Sequence, residues 1–172
     1  TDTQNSDTVR VGAERVVRAR LEDARFYFEE YKKTPLIDRL EALKKVAYQE
    51  KLGSLHDKTM RVKRIAEELA DKLYPDGELS TTKILFPESG EGTTYDVKAL
   101  VSRAALLSKC DLITGVVREF PELQGIMGYY YALLNGEGMQ VSIDIRDQYH
   151  PAFYGDYIPG DNSGAVLGIS DR

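Results

Sequence analysis

A His-Asp pair and two further aspartates are the residues of this sequence best suited to metal chemistry. His56 directly precedes Asp57, and such a pair can ligate a divalent ion that activates water for phosphoester hydrolysis. Asp111 and Asp171 each continue the apolar face of a predicted helix, so we expect both carboxylates to face the core. Burying an ionised carboxylate is costly unless it is paired, hydrogen-bonded or metal-bound. The two aspartates therefore either share a metal site or accept hydrogen bonds from a backbone cap or a buried arginine.

Basic residues form two groups that could contact the phosphates of a nucleic acid. The candidates are Arg15, Arg18, Arg25, Lys51, Lys58, Arg61 and Arg64. On the first predicted helix, glutamates alternate with the arginines at three- and four-residue spacing, which is equally typical of a solvated face with intrahelical ion pairs. From Lys58 to Arg64 the nearest following acids come a turn later, so this second group is the better RNA candidate.

The remaining reactive side chains indicate no catalysis. Cys110 is the only cysteine and has no neighbouring base that would activate its thiol, so we expect a small packed residue. With two scattered histidines, it offers no Cys/His spacing typical of zinc. His150 precedes Pro151 and is expected to mark a helix end.

Composition predicts one folded domain. The chain has 172 residues, of which 42% are hydrophobic and 30% charged, which excludes the disordered and fibrous classes. Because the net charge is -5, a free-standing, high-affinity nucleic-acid binder is not expected, and any RNA contact must be local. No apolar run reaches the roughly 20 residues of a membrane span and no secretory signal is visible, so we expect a cytoplasmic protein without membrane partners.

Apolar periodicity predicts an all-α fold. Apolar residues recur every three to four positions over 9–31, 36–43, 55–73, 97–112, 121–134 and 141–149, and a last helix is expected from about residue 163. Thr34 and Pro35 are expected to cap and begin the second helix. Residues 75–94 predict a mobile loop in which 84–86 is the only candidate strand, and residues 151–160 predict a loop packed by its aromatic side chains.

Four stretches resemble signature segments of the bacterial glycyl-tRNA synthetase β subunit. They are Gly12–Leu21, Gln49–Lys58, Ala104–Leu112 and Glu119–Gly128, and together they span most of the chain. The resemblance implies an α2β2 ligase whose α subunit activates glycine with ATP and magnesium. The β subunit would contribute tRNA-binding modules, among them an HD-domain-like helical bundle. Expected partners are tRNA(Gly), the α subunit and the rest of the β subunit, with no cofactor in this segment.

The resemblance also implies a domain division. Residues 1–34 would form a long N-terminal helix joining the rest of the subunit, and residues 35–172 the HD-like domain, with the mobile loop at 75–94. Because the chain begins without Met and stops inside a predicted helix, we expect it to be a segment of a longer subunit.

HD phosphohydrolases, to which the resemblance leads, bind metal through an early histidine, a His-Asp dyad and a late aspartate. The dyad position here reads Cys110-Asp111, the early histidine falls near His56, and the late aspartate is Asp171. A divalent ion deprived of two imidazoles would bind weakly, so we expect a degenerate site, with His56, Asp57, Asp111 and Asp171 as candidates. The alternatives are an active metal-dependent phosphohydrolase and a helical docking domain without RNA contact.

Overall fold

The computed structural model describes the backbone of residues 3–75, 79–82 and 93–172 and the side chains of residues 6–75 and 96–172. Within these ranges the α-helices are α1 (Thr3–Tyr31), α2 (Leu55–Leu73), α3 (Val97–Leu107), α4 (Gly115–Glu119), α5 (Ile126–Leu134), α6 (Met139–Asp147) and α7 (Asn162–Asp171). Short strands pair as two antiparallel ribbons, β1 (Ala47–Gln49) with β2 (Gly53–Ser54) and β3 (Leu79–Thr82) with β4 (Thr93–Asp96). The all-α prediction is confirmed.

Helices α2, α3, α6 and α7 pack against one another and enclose the core, while α5 lies against α6. The fully buried side chains Leu107, Tyr131, Ile145 and Leu167 fill its centre. A smaller cluster joins α2, α3 and α7 through Ala66, Ala70, Val97, Val101 and Val166. No helix in the described part of the chain is both long and apolar enough to cross a membrane.

Helices α1 and α2 confirm the predicted amphipathic segments. Only the end of α1 packs on the bundle, where the ring of Phe28 stacks on Tyr131 with 5.7 Å between ring centroids. Helix α2 begins with a capping box, in which the Asp57 carboxylate accepts from the Ser54 N–H at 2.8 Å and Ser54 Oγ accepts from the Asp57 N–H at 3.2 Å. The β1–β2 ribbon leads the chain into this cap.

The predicted second helix is wrong in type. Its residues form two 3-10 segments, Leu36–Arg39 and Glu41–Lys45, which bury Leu36 and Leu43. Thr34 caps neither segment, because the Leu36 N–H donates instead to Asn135 Oδ1 at 2.9 Å. A partner 99 residues away in the chain thus replaces the local cap.

The predictions for residues 75–134 also need correction. Part of the predicted loop at 75–94 is the β3–β4 ribbon, where Leu79 pairs with Asp96 and Thr82 with Thr93, while residues 84–86 lie outside the described ranges. The predicted helices at 97–112 and 121–134 are each interrupted, since α3 ends at Leu107 and α5 begins only at Ile126, with 3-10 segments at Cys110–Ile113 and Pro121–Leu123. These breaks accommodate the polar contacts of Asp111 described below.

The loop at 151–160 is present, but its aromatic residues do not pack it as predicted. Tyr154 is fully exposed and Phe153 is 70% exposed, so neither ring packs the loop. Tyr157 alone has a ring partner there, stacking on His150 at 3.9 Å between ring centroids.

The start of α5 is packed so closely that a substitution there should be costly. A Cβ on Gly128 would lie 2.6 Å from Ile145 Cγ2 and 3.2 Å from Asp111 Oδ2. We expect Gly128→Ala to lower the free energy of unfolding by about 1–3 kcal/mol through overpacking, measured by urea denaturation. Gly138→Ala is the matched control, because a Cβ at Gly138 meets no atom within 4 Å. Equal stability of the two variants would contradict the packing assignment.

Candidate functional site

Asp171, the last residue of α7, lies between two lysine side chains. Lys109 Nζ is 2.7 Å from Asp171 Oδ2, and Lys58 Nζ is 3.0 Å from Asp171 Oδ1. The three side chains are largely shielded from water, with exposed fractions of 4% for Lys109, 12% for Asp171 and 20% for Lys58. This lysine–aspartate network therefore joins α2, the segment after α3 and α7 through charge-assisted contacts.

Lys109 is the most deeply buried member of the network. Besides Asp171, its Nζ donates to Gln148 Oε1 at 2.7 Å and lies 4.6 Å from the centroid of the Tyr149 ring. Gln148 in turn donates to the carbonyls of Ser108 and Ile145 at 3.1 and 2.7 Å. Burial lowers the pKa of Lys109, and the charge of Asp171 acts in the opposite direction. The Lys109 ammonium group is therefore shielded from water and has Asp171 and Gln148 as hydrogen-bond partners.

Asp111 occupies a different environment, as an internal cap on α5. The carboxylate is fully buried, and Oδ2 accepts from the N–H groups of Gly125 at 2.6 Å and Gly128 at 3.1 Å. Gly125 has φ +77°, a conformation that favours glycine. Burial raises the pKa of Asp111 to about 6, and the two N–H groups partly offset this effect. Asp111 thus faces the core as predicted, from a 3-10 segment and not from the continuous helix expected.

The other two metal candidates, His56 and Asp57, have contacts that do not include Asp111 or Asp171. Asp57 belongs to the cap of α2, and His56 Nε2 is 4.0 Å from Glu41 Oε1. Within residues 6–75 and 96–172, no three His, Cys, Asp or Glu side chains converge in an arrangement that could hold a metal ion. The structure therefore places His56, Asp57, Asp111 and Asp171 in separate sets of contacts.

Cys110 and His150 both have structural partners. Cys110 is fully buried with Sγ 3.6 Å from the Leu106 carbonyl, and burial raises the pKa of its thiol to about 12, so the packed role is confirmed. His150 Nδ1 lies 2.7 Å from Asp156 Oδ2, a contact that closes the loop after α6 and that sequence reasoning missed. The sequence feature that could have indicated this contact is an acidic residue six positions after a histidine, within a Gly/Pro-rich segment.

The basic candidates divide by exposure and by partner. Arg15, Arg18 and Arg25 are exposed on α1, and Lys51 is exposed between β1 and β2. On α2, Arg64 is exposed with Nη1 3.7 Å from Glu68 Oε1, and Arg61 is partly exposed. Lys58 differs from all of these, because it is held by Asp171 and lies 4.9 Å from the Tyr48 ring centroid.

Sequence reasoning also missed a buried acid that lies beside a helix-capping acid. Asp144 on α6 is fully buried and accepts from Gln140 Nε2 at 2.9 Å. Asp161 caps α7 through the Gly164 N–H at 2.9 Å. Burial and then the neighbouring charge of Asp161 raise the pKa of Asp144 well above its ordinary value. Periodicity could have found Asp144, which stands three residues after buried Val141.

The lysine–aspartate network should be sensitive to the loss of one charge. Lys109→Met leaves Gln148 without its donor and Asp171 with Lys58 as its remaining ammonium partner. We therefore expect the free energy of unfolding to fall by about 1–3 kcal/mol in chemical denaturation. Lys109→Met combined with Asp171→Asn should cost less than the two single changes added together, because both single changes break the same contact. A double variant as unstable as the sum of the two single variants would contradict the pairing.

Asp111 predicts a pH dependence of stability. Between the ordinary pKa of 3.8 and the folded value of about 6, the folded state retains a proton that the unfolded state has released. The contribution of Asp111 to the free energy of unfolding is therefore fully present below about pH 4. It falls by about 3 kcal/mol as the pH rises to about 7. We expect the difference in unfolding free energy between wild type and Asp111→Asn to follow this curve. A difference that does not change with pH would contradict the assignment.

Comparison with known proteins identifies the family of this chain. Residues 1–172 match the family model described as glycyl-tRNA synthetase beta subunit. The chain is 44% identical over 172 residues to the glycine–tRNA ligase beta subunit of Thermodesulfovibrio yellowstonii and 45% identical over 170 residues to that of Geobacter sulfurreducens. These alignments cover 100% and 99% of the chain but only 22% of each relative, so the chain spans about a fifth of the curated relatives. The chain belongs to the glycyl-tRNA synthetase beta subunit family.

Proposed function

We propose that this chain is a non-catalytic, HD-like and tRNA-binding region of the β subunit. It supports the ATP-dependent attachment of glycine to tRNA(Gly), with ATP and magnesium bound by the α subunit. Membership of the family and the names of its relatives support the ligase assignment. The observation that carries the non-catalytic part is the lysine–aspartate network.

Two lysines neutralise the carboxylate that would ligate metal in an HD hydrolase. Both oxygens of Asp171 lie within 3.0 Å of an ammonium nitrogen, Lys58 on one side and Lys109 on the other. A divalent ion at this carboxylate would be repelled by two positive charges in a site of low dielectric. Asp111 directs Oδ2 at backbone N–H groups. These contacts support a scaffold in place of a hydrolase.

The basic surface around the start of α2 supports the tRNA contact. Lys51 is exposed, Arg61 and Arg64 follow on α2, and no carboxylate in the described ranges lies within ion-pair distance of Lys51 or Arg61. Tyr48, 44% exposed, adds an aromatic side chain beside Lys58. Because the whole chain carries a net charge of -5, such a local cluster is what phosphate contact requires.

A charge-reversal triple variant of the intact ligase tests this surface. Lys51→Glu, Arg61→Glu and Arg64→Glu together should weaken tRNA(Gly) binding. The slope of log affinity against log salt concentration should become shallower by roughly 0.7–0.9 for each phosphate that the variant no longer neutralises, measured by titration at several salt concentrations. Lys58 is left intact, since its removal would disturb Asp171.

The matched control reverses three other exposed charges, with Lys33→Glu, Lys72→Glu and Arg118→Glu. Both triple variants change the net charge equally, so a general electrostatic effect would alter them alike. Unchanged affinity and unchanged salt slope in the first variant would show that this surface does not contact tRNA, although the family assignment would stand.

A further inference from the structure

The apolar face of α1 continues well beyond the part that packs on the bundle. At 3.6 residues per turn, Val17 and Leu21 lie on the same side of the helix as Phe28 and Tyr31, which contact the core. Yet Val17 is 56% exposed and Leu21 is 60% exposed. The uncovered part from Val9 to Leu21 is about 20 Å long at 1.5 Å per residue.

This uncovered face is too continuous to be an ordinary scatter of surface apolar residues. We call it the α1 seam, and it consists of Val9, Ala13, Val16, Val17 and Leu21, which fall within an arc of about 140° on the helix. Each of these residues is exposed in the described structure. A helix without tertiary packing is marginal in water, so the first half of α1 requires a covering surface. Contiguous exposed apolar surface of this kind marks an interaction site.

The charges beside the seam indicate a protein surface as its partner. Along one edge the sequence alternates in sign as Arg10, Glu14, Arg18, Glu22 and Arg25. A phosphate backbone would be repelled by the two glutamates and would leave the apolar side chains uncovered. An apolar protein surface with charges of both signs at its rim would cover the apolar side chains and pair with both the arginines and the glutamates.

We propose that a further segment of the same β-subunit polypeptide covers the α1 seam. This chain accounts for only 22% of its relatives' length, so in a subunit of that length most of the polypeptide would be covalently tethered to it. Tethering gives such a segment an effective concentration in the millimolar range, which favours it over a separate molecule. The proposal rests on family membership and is independent of the proposed tRNA contact.

Cysteine labelling of the full-length β subunit tests the proposal. Val17→Cys and Leu21→Cys report on the seam, and Val11→Cys is the matched control, since Val11 is 59% exposed but lies outside the seam. Maleimide modification of each site is followed by peptide mass mapping in the native subunit. We expect labelling at positions 17 and 21 to be slower than at position 11 by on the order of tenfold or more. The buried native thiol of Cys110 provides an internal reference.

The labelling conditions separate the candidate partners. Slow labelling in isolated β subunit that persists on dilution supports the proposal. Protection that requires the α subunit or tRNA(Gly), or that disappears on dilution as expected for a second copy of the chain, overturns it. Equal labelling at all three positions under every condition also overturns it. Each of these results leaves the tRNA titration unaffected, so the two proposals can fail separately.

Discussion

A lysine ammonium that is almost fully removed from water constrains the arrangement of the bundle. Lys109 must keep Asp171 and Gln148 within hydrogen-bond distance, because an unpaired charge at 4% exposure would cost several kilocalories per mole. Asp171 fixes the end of α7, and Gln148 fixes the end of α6 against the carbonyl of Ser108. Lys58 then ties α2 to the same carboxylate. One set of polar contacts therefore joins α2, α7, the end of α6 and the segment after α3, and it opposes movement of these elements relative to one another.

Asp111 is a buried acidic group, and it too requires polar partners inside the fold. One carboxylate oxygen, Oδ2, accepts from backbone N–H groups at the start of α5, where the helix dipole favours a negative group. Close approach of this carboxylate requires glycine at 125 for its backbone angle and at 128 for space. The glycines of the stretch Glu119–Gly128 thus have a structural explanation, which depends on an acid 14 residues earlier in the chain.

Sequence periodicity predicted the helices that carry a continuous apolar face. It identified α1, α2 and α7 and the burial of Asp111, because these follow from local spacing. It did not predict the 3-10 turns at Leu36–Lys45, which depend on Asn135, or the β3–β4 ribbon, whose Ser/Thr residues are typical of loops as well. It also took Lys58 for a surface residue and gave Lys109 no role. A buried lysine resembles a solvated one until the partner carboxylate, 62 residues away, is known.

Charge placement separates the two surfaces for which we propose partners. On α1 the arginines alternate with glutamates beside exposed valines and leucine, a combination that suits the protein partner we propose for this face. Around the start of α2, Lys51 is exposed and Arg61 is partly exposed, and neither has a carboxylate of the described ranges within ion-pair distance. Several acids that make the chain negative are taken up elsewhere, Asp111 and Asp144 in the core and Asp57 and Asp161 as helix caps. The net charge therefore says little about the potential at the surface that would meet RNA, because the position of each carboxylate decides whether it opposes a phosphate.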